Sequence, residues 1–461
     1  MKSSTRFQPW EPDQPYLLPP NPRDWLPEGH LVYFLLDLVD ELDLRALAAA
    51  YSNAQGGRAP YDVRMMALLL LYAYCVGVPA SRRIERATYE SLPFRVLTAD
   101  QHPDHDTIAE FRRGHLEALK GLFVQVLRLC RAAGLVRLGH VALDGTKMRA
   151  HASKHKAMSY DHLVTKEAEL AVEVDRLLAE AEAVDAADDA RLGKGVRGDE
   201  LPKDLQFKQA RLAKIREAKR ALEAEARAEA ERQRAEQQAK QEQRDAEGQT
   251  RRGKAPNEPS ETPQPKAQRN FTDPDSRIMK DGATKSFEQC YNGQLAVDDT
   301  AQIIVAQFVT QEPNDKQQLQ PAIEEMKRTL EGDLPRRLTA DSGYFSEDNI
   351  RRAQTESIDL YVATGRLKHG ETPPPAPRGR IPQDATVQER MARKLRTIRG
   401  RATYSKRKAT VEPVNGQIKQ ARGFRQFLLR GVEKVRGEFS LMCTGHNLLK
   451  LFRSGWRPQT A

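Results

Sequence analysis

Three acidic residues are placed where catalytic carboxylates could converge: Asp144, Asp341 and Glu412. Asp144 and Asp341 each follow a short apolar run of β type, and Glu412 is expected to open a helix beside a basic cluster. Hard divalent cations prefer oxygen ligands. Two such ions held about 3.5–4 Å apart can activate a nucleophile and stabilise the leaving oxygen of a phosphoryl transfer. One Asp at a strand end is more often a solvated or capping residue, so the hypothesis rests on the three acids together.

The elements that must position these acids have the pattern of an α/β core. Short β-type runs are predicted at His140–Asp144, Cys290–Val297, Ile303–Thr310, Arg337–Ala340 and Ile358–Ala363, with amphipathic helical segments between the later ones. A hairpin followed by strand–helix–strand units predicts a mixed sheet with helices on its faces. The ends of neighbouring strands in such a sheet could bring distant acids together.

The chain divides into seven predicted segments. Segment 1–138 is mostly helical, and its run Val63–Val78 is apolar nearly all round, as in a helix at the centre of a bundle. Segment 159–252, rich in Glu, Ala, Lys, Arg and Gln, is predicted to be an exposed helical or coiled-coil arm, and 253–272 a linker. The other segments are 139–158 and 273–365 for the two parts of the core, 366–410 for a basic irregular stretch, and 411–461 for C-terminal helices carrying Glu412.

Charge and composition narrow the class of protein. The 461 residues include 74 Lys and Arg against 64 Asp and Glu, a net charge of +10. Segment 366–436 alone holds 19 basic and 5 acidic residues, which predicts a polyanionic partner near Glu412. Apolar runs stop short of the roughly 18 residues of a membrane span, Met1–Trp10 lacks a signal-peptide core, and the four cysteines are scattered. We therefore expect a cytoplasmic protein without membrane association.

Three segments resemble the acidic motifs of bacterial insertion-sequence transposases of the DDE type: 143–146 (Leu-Asp-Gly-Thr), 340–344 (Ala-Asp-Ser-Gly-Tyr) and 411–419 (Val-Glu-Pro-Val-Asn-Gly-Gln-Ile-Lys). Segments 273–277, 291–294, 309–315 and 104–108 also resemble that family. The resemblance implies an RNase H-like catalytic core with an all-α N-terminal DNA-binding domain. The charged arm would then be a long helical insertion after the first strand.

The resemblance also implies a mechanism. Asp144, Asp341 and Glu412 would be both the catalytic residues and the ligands of two Mg²⁺ ions, for which Mn²⁺ could substitute. Water would first cut a phosphodiester at the end of the element, and the freed 3′ hydroxyl would attack target DNA. The partners would be the element ends and target DNA, bound by a homodimer or higher oligomer that is associated with the nucleoid while on DNA.

Basic and aromatic residues near Glu412 are expected to contact DNA. The family places three residues between its arginine and its glutamate, whereas four separate Arg407 from Glu412, and Lys408 has the usual offset instead. Which of Arg407 and Lys408 contacts the phosphate is therefore open. The predicted DNA-binding residues are Tyr404, Arg407, Lys408, Lys419, Arg422 and Arg425.

Two other functions remain open. The chain could be a catalytically inactive DNA-binding or coiled-coil protein derived from a transposase, although intact acids at all three motifs argue against this. It could also be a metal-dependent nuclease that cuts without joining, since the same triad serves both reactions. Two further groups contain metal-type residues, but a capping or core role explains them more simply: Asp100, His102, Asp104, His105 and Asp106, and the pair Cys443 and His446.

Overall fold

The computed structural model describes residues 24–49, 60–192, 203–246, 248, 257–280, 285–365, 374–375 and 378–458. Parts of every predicted segment except 139–158 therefore lie outside the described residues, as does Met1–Trp10. Within the described ranges no single helix is long and apolar enough to cross a membrane. Only Val63–Val76 together with Ser81–Glu90, a pair bent by 96°, meets the requirements of length and composition.

The N-terminal region is helical, as predicted. Its most buried helix begins after Asp62, whose carboxylate accepts hydrogen bonds from the N–H groups of Arg64 and Met65, and ends at Gly77, which has a φ of 77°. Every residue from Met66 to Cys75 is buried. The helices are α1 (Leu31–Leu38), α2 (Arg45–Ala48), α3 (Val63–Val76), α4 (Ser81–Glu90), α5 (Leu92–Leu97), α6 (His105–Gly114) and α7 (Leu116–Ala132).

A mixed sheet of six strands forms the α/β part of the chain, and two short strands pair separately. The strands are β1 (Val141–Arg149), β2 (Ala157–Ser159), β3 (Gln268–Asn270), β4 (Arg277–Lys280), β5 (Phe287–Asp298), β6 (Ile304–Thr310), β7 (Arg337–Ala340) and β8 (Asp359–Val362). Strand β1 is central, with β5 antiparallel on one side and β7 parallel on the other, and β8 continues parallel beyond β7. Both β4 and β6 pair with the outer edge of the long strand β5. The predicted mixed sheet is therefore present.

A helical hairpin leaves the sheet after β1, at the position predicted for the arm. It consists of α8 (Tyr160–Leu192) and α9 (Lys203–Ala246). Their shared apolar stripe includes leucines that recur at seven-residue spacing, at 163 and 170 on α8 and at 205 and 212 on α9. Strands β2 and β3 pair at the base of the hairpin. The predicted linker 253–272 is therefore wrong at its end, because 268–270 is a strand that closes the base.

The basic stretch predicted to be irregular is largely helical, which is a second correction. Helices α10 (Leu319–Thr329) and α11 (Glu347–Thr355) precede it, and α12 (Val387–Arg396) and α13 (Ile398–Gly416) run through it. Thr386 forms a capping box with Glu389, and Thr397 caps α13 by accepting from the N–H of Gly400. Arg, Lys and Ala are good helix formers, so the charge density does not oppose a helix. Glu412 consequently lies near the end of α13 and not at its start.

Helix α13 continues through a proline because a side chain from the sheet replaces the missing hydrogen bond. Pro413 has no N–H to donate to the carbonyl of Ala409, four residues earlier. Gln302, in the turn between β5 and β6, donates from Nε2 to that carbonyl oxygen at 2.9 Å. The following residues, Gln417–Ala421, form a π-helical turn.

The last helix, α14 (Val432–Arg453), joins the N-terminal helices to the sheet. It packs against α3 and α7 on one side and against β6 on the other. It approaches α7 closely, because a β-carbon at Gly437 would lie only 2.5 Å from Leu116 Cδ2. The amide of Asn447 pairs with both the N–H and the carbonyl of Ile304, at 2.9 and 2.8 Å. The predicted segments 1–138 and 411–461 therefore share one continuous apolar core with the sheet.

Candidate active site

Asp144 and Asp341 lie at the same level on neighbouring strands. Strands β1 and β7 are parallel, and Ala142 pairs with Thr339. Asp144 and Asp341 each come two residues after that pair. Adjacent strands are about 4.8 Å apart, so the register places the two carboxylates side by side. Strand β1 extends five residues beyond Asp144, which therefore lies within the strand and not at its end as predicted.

Arg407 connects Glu412 to this pair. From α13, Arg407 Nη1 lies 3.4 Å from Asp144 Oδ1, and Nη2 lies 3.7 Å from Glu412 Oε1. Asn415, one turn after Glu412, donates from Nδ2 to Asp144 Oδ2 at 3.1 Å. Arg407 is only 12% exposed, whereas Glu412 is 53% exposed. Glu412 therefore stands at the solvent side of the site and Asp144 at its floor.

The site holds an excess of negative charge in a partly buried setting. Burial raises the pKa of Asp144 to about 7, the charges of Asp341, Asp315 and Glu412 add to the rise, and Arg407 opposes it. Proximity of like charges raises a carboxyl pKa, and an adjacent cation lowers it. Asp144 thus lies among three other acids and one guanidinium, so the site favours the binding of additional positive charge.

Asp315 was not predicted as a site residue. It lies between β6 and α10, and its Oδ1 accepts from Gln294 Nε2 at 2.6 Å and from Asn292 Nδ2 at 2.8 Å. The family resemblance of segments 291–294 and 309–315 is the sequence signal that points to this loop. Neither strand pattern nor spacing indicates that the loop after β6 folds back over β1.

The donor chemistry fits a hard divalent cation. Carboxylate oxygens are the ligands that Mg²⁺ prefers, and the buried Oδ1 of Asn415, beside Asp144, has no hydrogen-bond partner. Nevertheless, no three His, Cys, Asp or Glu side chains of the described residues lie close enough together to hold a metal ion. The guanidinium of Arg407 lies between Asp144 and Glu412, which accounts for their separation.

The predicted DNA-binding residues fall into two groups. Lys408 and Arg425 are exposed and open to a ligand. Tyr404 and Arg407 are partly buried in the site, and burial raises the pKa of Tyr404. Lys419 lies at the edge of the site, where Nζ donates to the carbonyl of Lys147 on β1 at 2.6 Å. Arg407 thus takes the inner position, and Lys408 the outer one.

Arg422 is half-buried, and its guanidinium makes contacts within the protein. Its Nη1 donates to the carbonyl of Met442 at 3.1 Å, and its guanidinium lies 5.5 Å from the ring of Phe424. Its Nη2 is buried without a partner, and burial lowers the pKa of the guanidinium. The side chain points into the packing between the π-helical turn and α14, and its contact with DNA stays a prediction.

The two remaining groups of metal-type residues are explained by structure. Asp104 is the N-cap of α6, and His105 Nδ1 lies 2.8 Å from Glu85 Oε2. Cys443 and His446 are buried in α14, where His446 Nε2 contacts the carbonyl of Gln302 at 2.8 Å. Burial lowers the pKa of His446 to about 3. Capping and core packing therefore account for these residues without a metal site.

Two family sequence models match separate parts of the chain. Residues 20–114 match the sequence model of the family described as Transposase domain (DUF772). Residues 379–452 match that of the Transposase DDE domain, and this range includes Arg407, Glu412 and Asn415. Both matches support an insertion-sequence transposase of the DDE type. No curated protein and no solved structure matches it significantly.

The matched transposase families imply two general properties, the use of divalent metal ions and a DNA substrate. The first match ends with α6, and the second covers α12 to α14. Strands β1 and β7 lie outside both matches. The assignment of Asp144 and Asp341 therefore depends on their motifs and on the register between the two strands.

Proposed function

We propose that this transposase binds the ends of its element and catalyses metal-dependent strand cleavage followed by strand transfer. The catalytic carboxylates would be Asp144, Asp341 and Glu412, and the metal would be Mg²⁺, with Mn²⁺ able to replace it. The core would be RNase H-like, with the α8–α9 hairpin as a coiled-coil insertion. The observation that carries the proposal is the parallel register that sets Asp144 beside Asp341, with Glu412 connected to them through Arg407.

Each residue has a role that follows from its position. Bound divalent ions would supply the activation of water and the stabilisation of the leaving 3′ oxygen. Asp144 and Asp341 form the inner ligands, and the exposed Glu412 completes the set from α13. Arg407 is positioned to turn from the carboxylates to a phosphate, where its planar donors can bind two oxygens. Lys408 and Arg425 would contact phosphates outside the site and so fix the register of the DNA.

Two element ends must be processed together in transposition, so we propose that the protein acts as a homodimer or higher oligomer on DNA. The two alternative functions can be distinguished from transposition by their DNA products. A nuclease would release cut DNA without joined products, and an inactive derivative would bind end DNA without cutting it. The intact acids and their alignment favour the active enzyme.

The test is the substitution Asp144→Asn, which keeps the side-chain shape and removes the charge. It should abolish cleavage of a labelled duplex made from the DNA that flanks the coding region, while binding measured by gel shift stays nearly unchanged. Asp333→Asn is the matched control, because Asp333 is 58% exposed in the loop before β7. Retained cleavage in Asp144→Asn would rule out the proposed triad.

A further inference from the structure

Asp315 is held in a fixed orientation by uncharged groups. Its Oδ1 accepts from Asn292 and Gln294, both buried on β5. Tyr344 donates its hydroxyl to Gln294 Oε1, which fixes the direction of that amide. Among the described residues, no Lys, Arg or His nitrogen lies within 4.0 Å of the Asp315 carboxylate. The carboxylate is therefore ordered and oriented, but its charge is not neutralised by an ion pair.

The other oxygen of Asp315 faces the same small space as Asp341. A β-carbon at Gly343 would lie 3.0 Å from Asp341 Oδ1 and 3.6 Å from Asp315 Oδ2. A β-carbon at Gly145 would lie 2.4 Å from Asp315 Oδ1, so only glycine leaves room for the carboxylate beside Asp144. Gly343 is exposed, and the space between the two acids is therefore open to solvent.

A buried amide oxygen beside Asp315 also lacks a partner. Asn292 is fully buried, and its Nδ2 donates to Asp315 Oδ1 and to the carbonyl of Glu312 at 3.1 Å. Its Oδ1 has no hydrogen-bond partner. A buried acceptor without a partner is energetically unfavourable. This cost is removed if the site binds a cation or its hydration water.

We propose that Asp315 is a fourth carboxylate of the active site and binds a divalent cation jointly with Asp341. Its Oδ2 is the donor, and the amides of Asn292 and Gln294 hold it in place. This inference rests on the proposed metal-dependent function and extends its ligand set. The two can be tested separately, because Asp144 belongs to the triad and Asp315 does not.

The experiment measures Mn²⁺ binding to the full chain without DNA, from the signal of free Mn²⁺ in electron paramagnetic resonance. Asp315→Asn keeps the acceptor for the two amides and removes the charge. It should raise the Kd for Mn²⁺ by about 10–100-fold, the range found when groups that orient or complete a metal site are removed. Glu312→Gln is the matched control on the same loop, with an exposed side chain, and should leave the Kd unchanged. Circular dichroism verifies that each variant is folded.

The outcomes distinguish the two proposals. An unchanged Kd in Asp315→Asn, together with weakened binding in Asp144→Asn, overturns the role of Asp315 and leaves the triad intact. Unchanged binding in both variants overturns the proposed metal site itself. If Asp315→Asn does not fold, Asp315→Glu retains the charge but pushes the carboxylate out of the space over Gly145. That variant should also bind Mn²⁺ more weakly, and binding equal to that of the unmodified protein would refute the inference.

Discussion

Glu438 should make the stability of this protein depend on pH. It lies in α14, and its carboxylate accepts from the N–H groups of Leu428 and Leu429 at 3.0 Å. Burial raises its pKa to about 7, while these two N–H groups and the guanidinium of Arg112 oppose the rise. Arg112 is itself buried and donates to the Tyr74 hydroxyl at 3.2 Å. The Glu438 carboxylate therefore lies where α14, the N-terminal helices and the chain after the π-helical turn meet.

The sign of the effect follows from proton linkage. The folded protein binds the Glu438 proton more tightly than the unfolded chain, whose pKa is near 4.5. The resulting stabilisation is complete below pH 4.5 and is lost as the pH rises through about 7. A difference of this size corresponds to about 3 kcal/mol in total. Most of this loss occurs between pH 5 and pH 8.

Glu438→Gln provides the test, because glutamine resembles the protonated side chain at every pH. The difference in unfolding free energy between the variant and the unmodified protein, measured by urea titration, should be small at pH 5 and should grow by about 2–3 kcal/mol in favour of the variant at pH 8. The control is Glu433→Gln in the first turn of the same helix, where Glu433 is 63% exposed and pairs with Arg436. A relative change under about 1 kcal/mol would refute the argument that desolvation dominates at Glu438.

Two further predictions concern the surface. DNA binding, measured by filter binding, should weaken steeply with salt: the logarithm of the binding constant should fall against that of the salt concentration with a slope of about −0.9 per phosphate contacted. Lys408→Ala should reduce the magnitude of that slope by about 1. A binding constant that does not change with salt would show that the basic helices do not contact the DNA. Replacing 161–266 by a short Gly-Ser turn should leave a soluble core with cooperative thermal unfolding, because the N–H of Tyr160 donates to the carbonyl of Ala267 at 2.8 Å at the base of the arm. An insoluble product would count against the arm as an insertion.

Strand positions were predictable because their signal is local. The apolar run before Asp341 gave β7 with its observed ends, and the turn between β5 and β6 had the composition of a hairpin connection. The extent of β1 was not predictable. Gly145, Thr146 and Lys147 have no strand pattern of their own, but they are paired with residues on β5. The pairing with a preformed neighbour overrides their weak preference.

The other differences between the predictions and the structure have separate causes. Asp315 contributes to the site because its loop folds back over two glycines, and this approach has no periodic signature. The basic stretch appeared irregular because its charges dominate the pattern, yet Thr386 and Thr397 supply caps and most of its residues favour a helix. Arg422 shows that the type of a residue does not predict its direction, since this basic side chain near a predicted catalytic motif packs inward against α14.

The geometry of α13 gives a reason for the unusual spacing between the basic residues and Glu412. At about 100° per residue, Lys408 lies about 40° from Glu412 around the helix, and Arg407 lies about 140° away. Lys408 therefore shares the exposed face of Glu412, whereas Arg407 is directed toward β1 and reaches Asp144. The two adjacent basic side chains therefore lie on different faces of α13, Lys408 on the exposed face and Arg407 on the face toward β1. The extra residue before Glu412 does not displace the arginine from the site, because a long side chain on the sheet-facing side still spans both carboxylates.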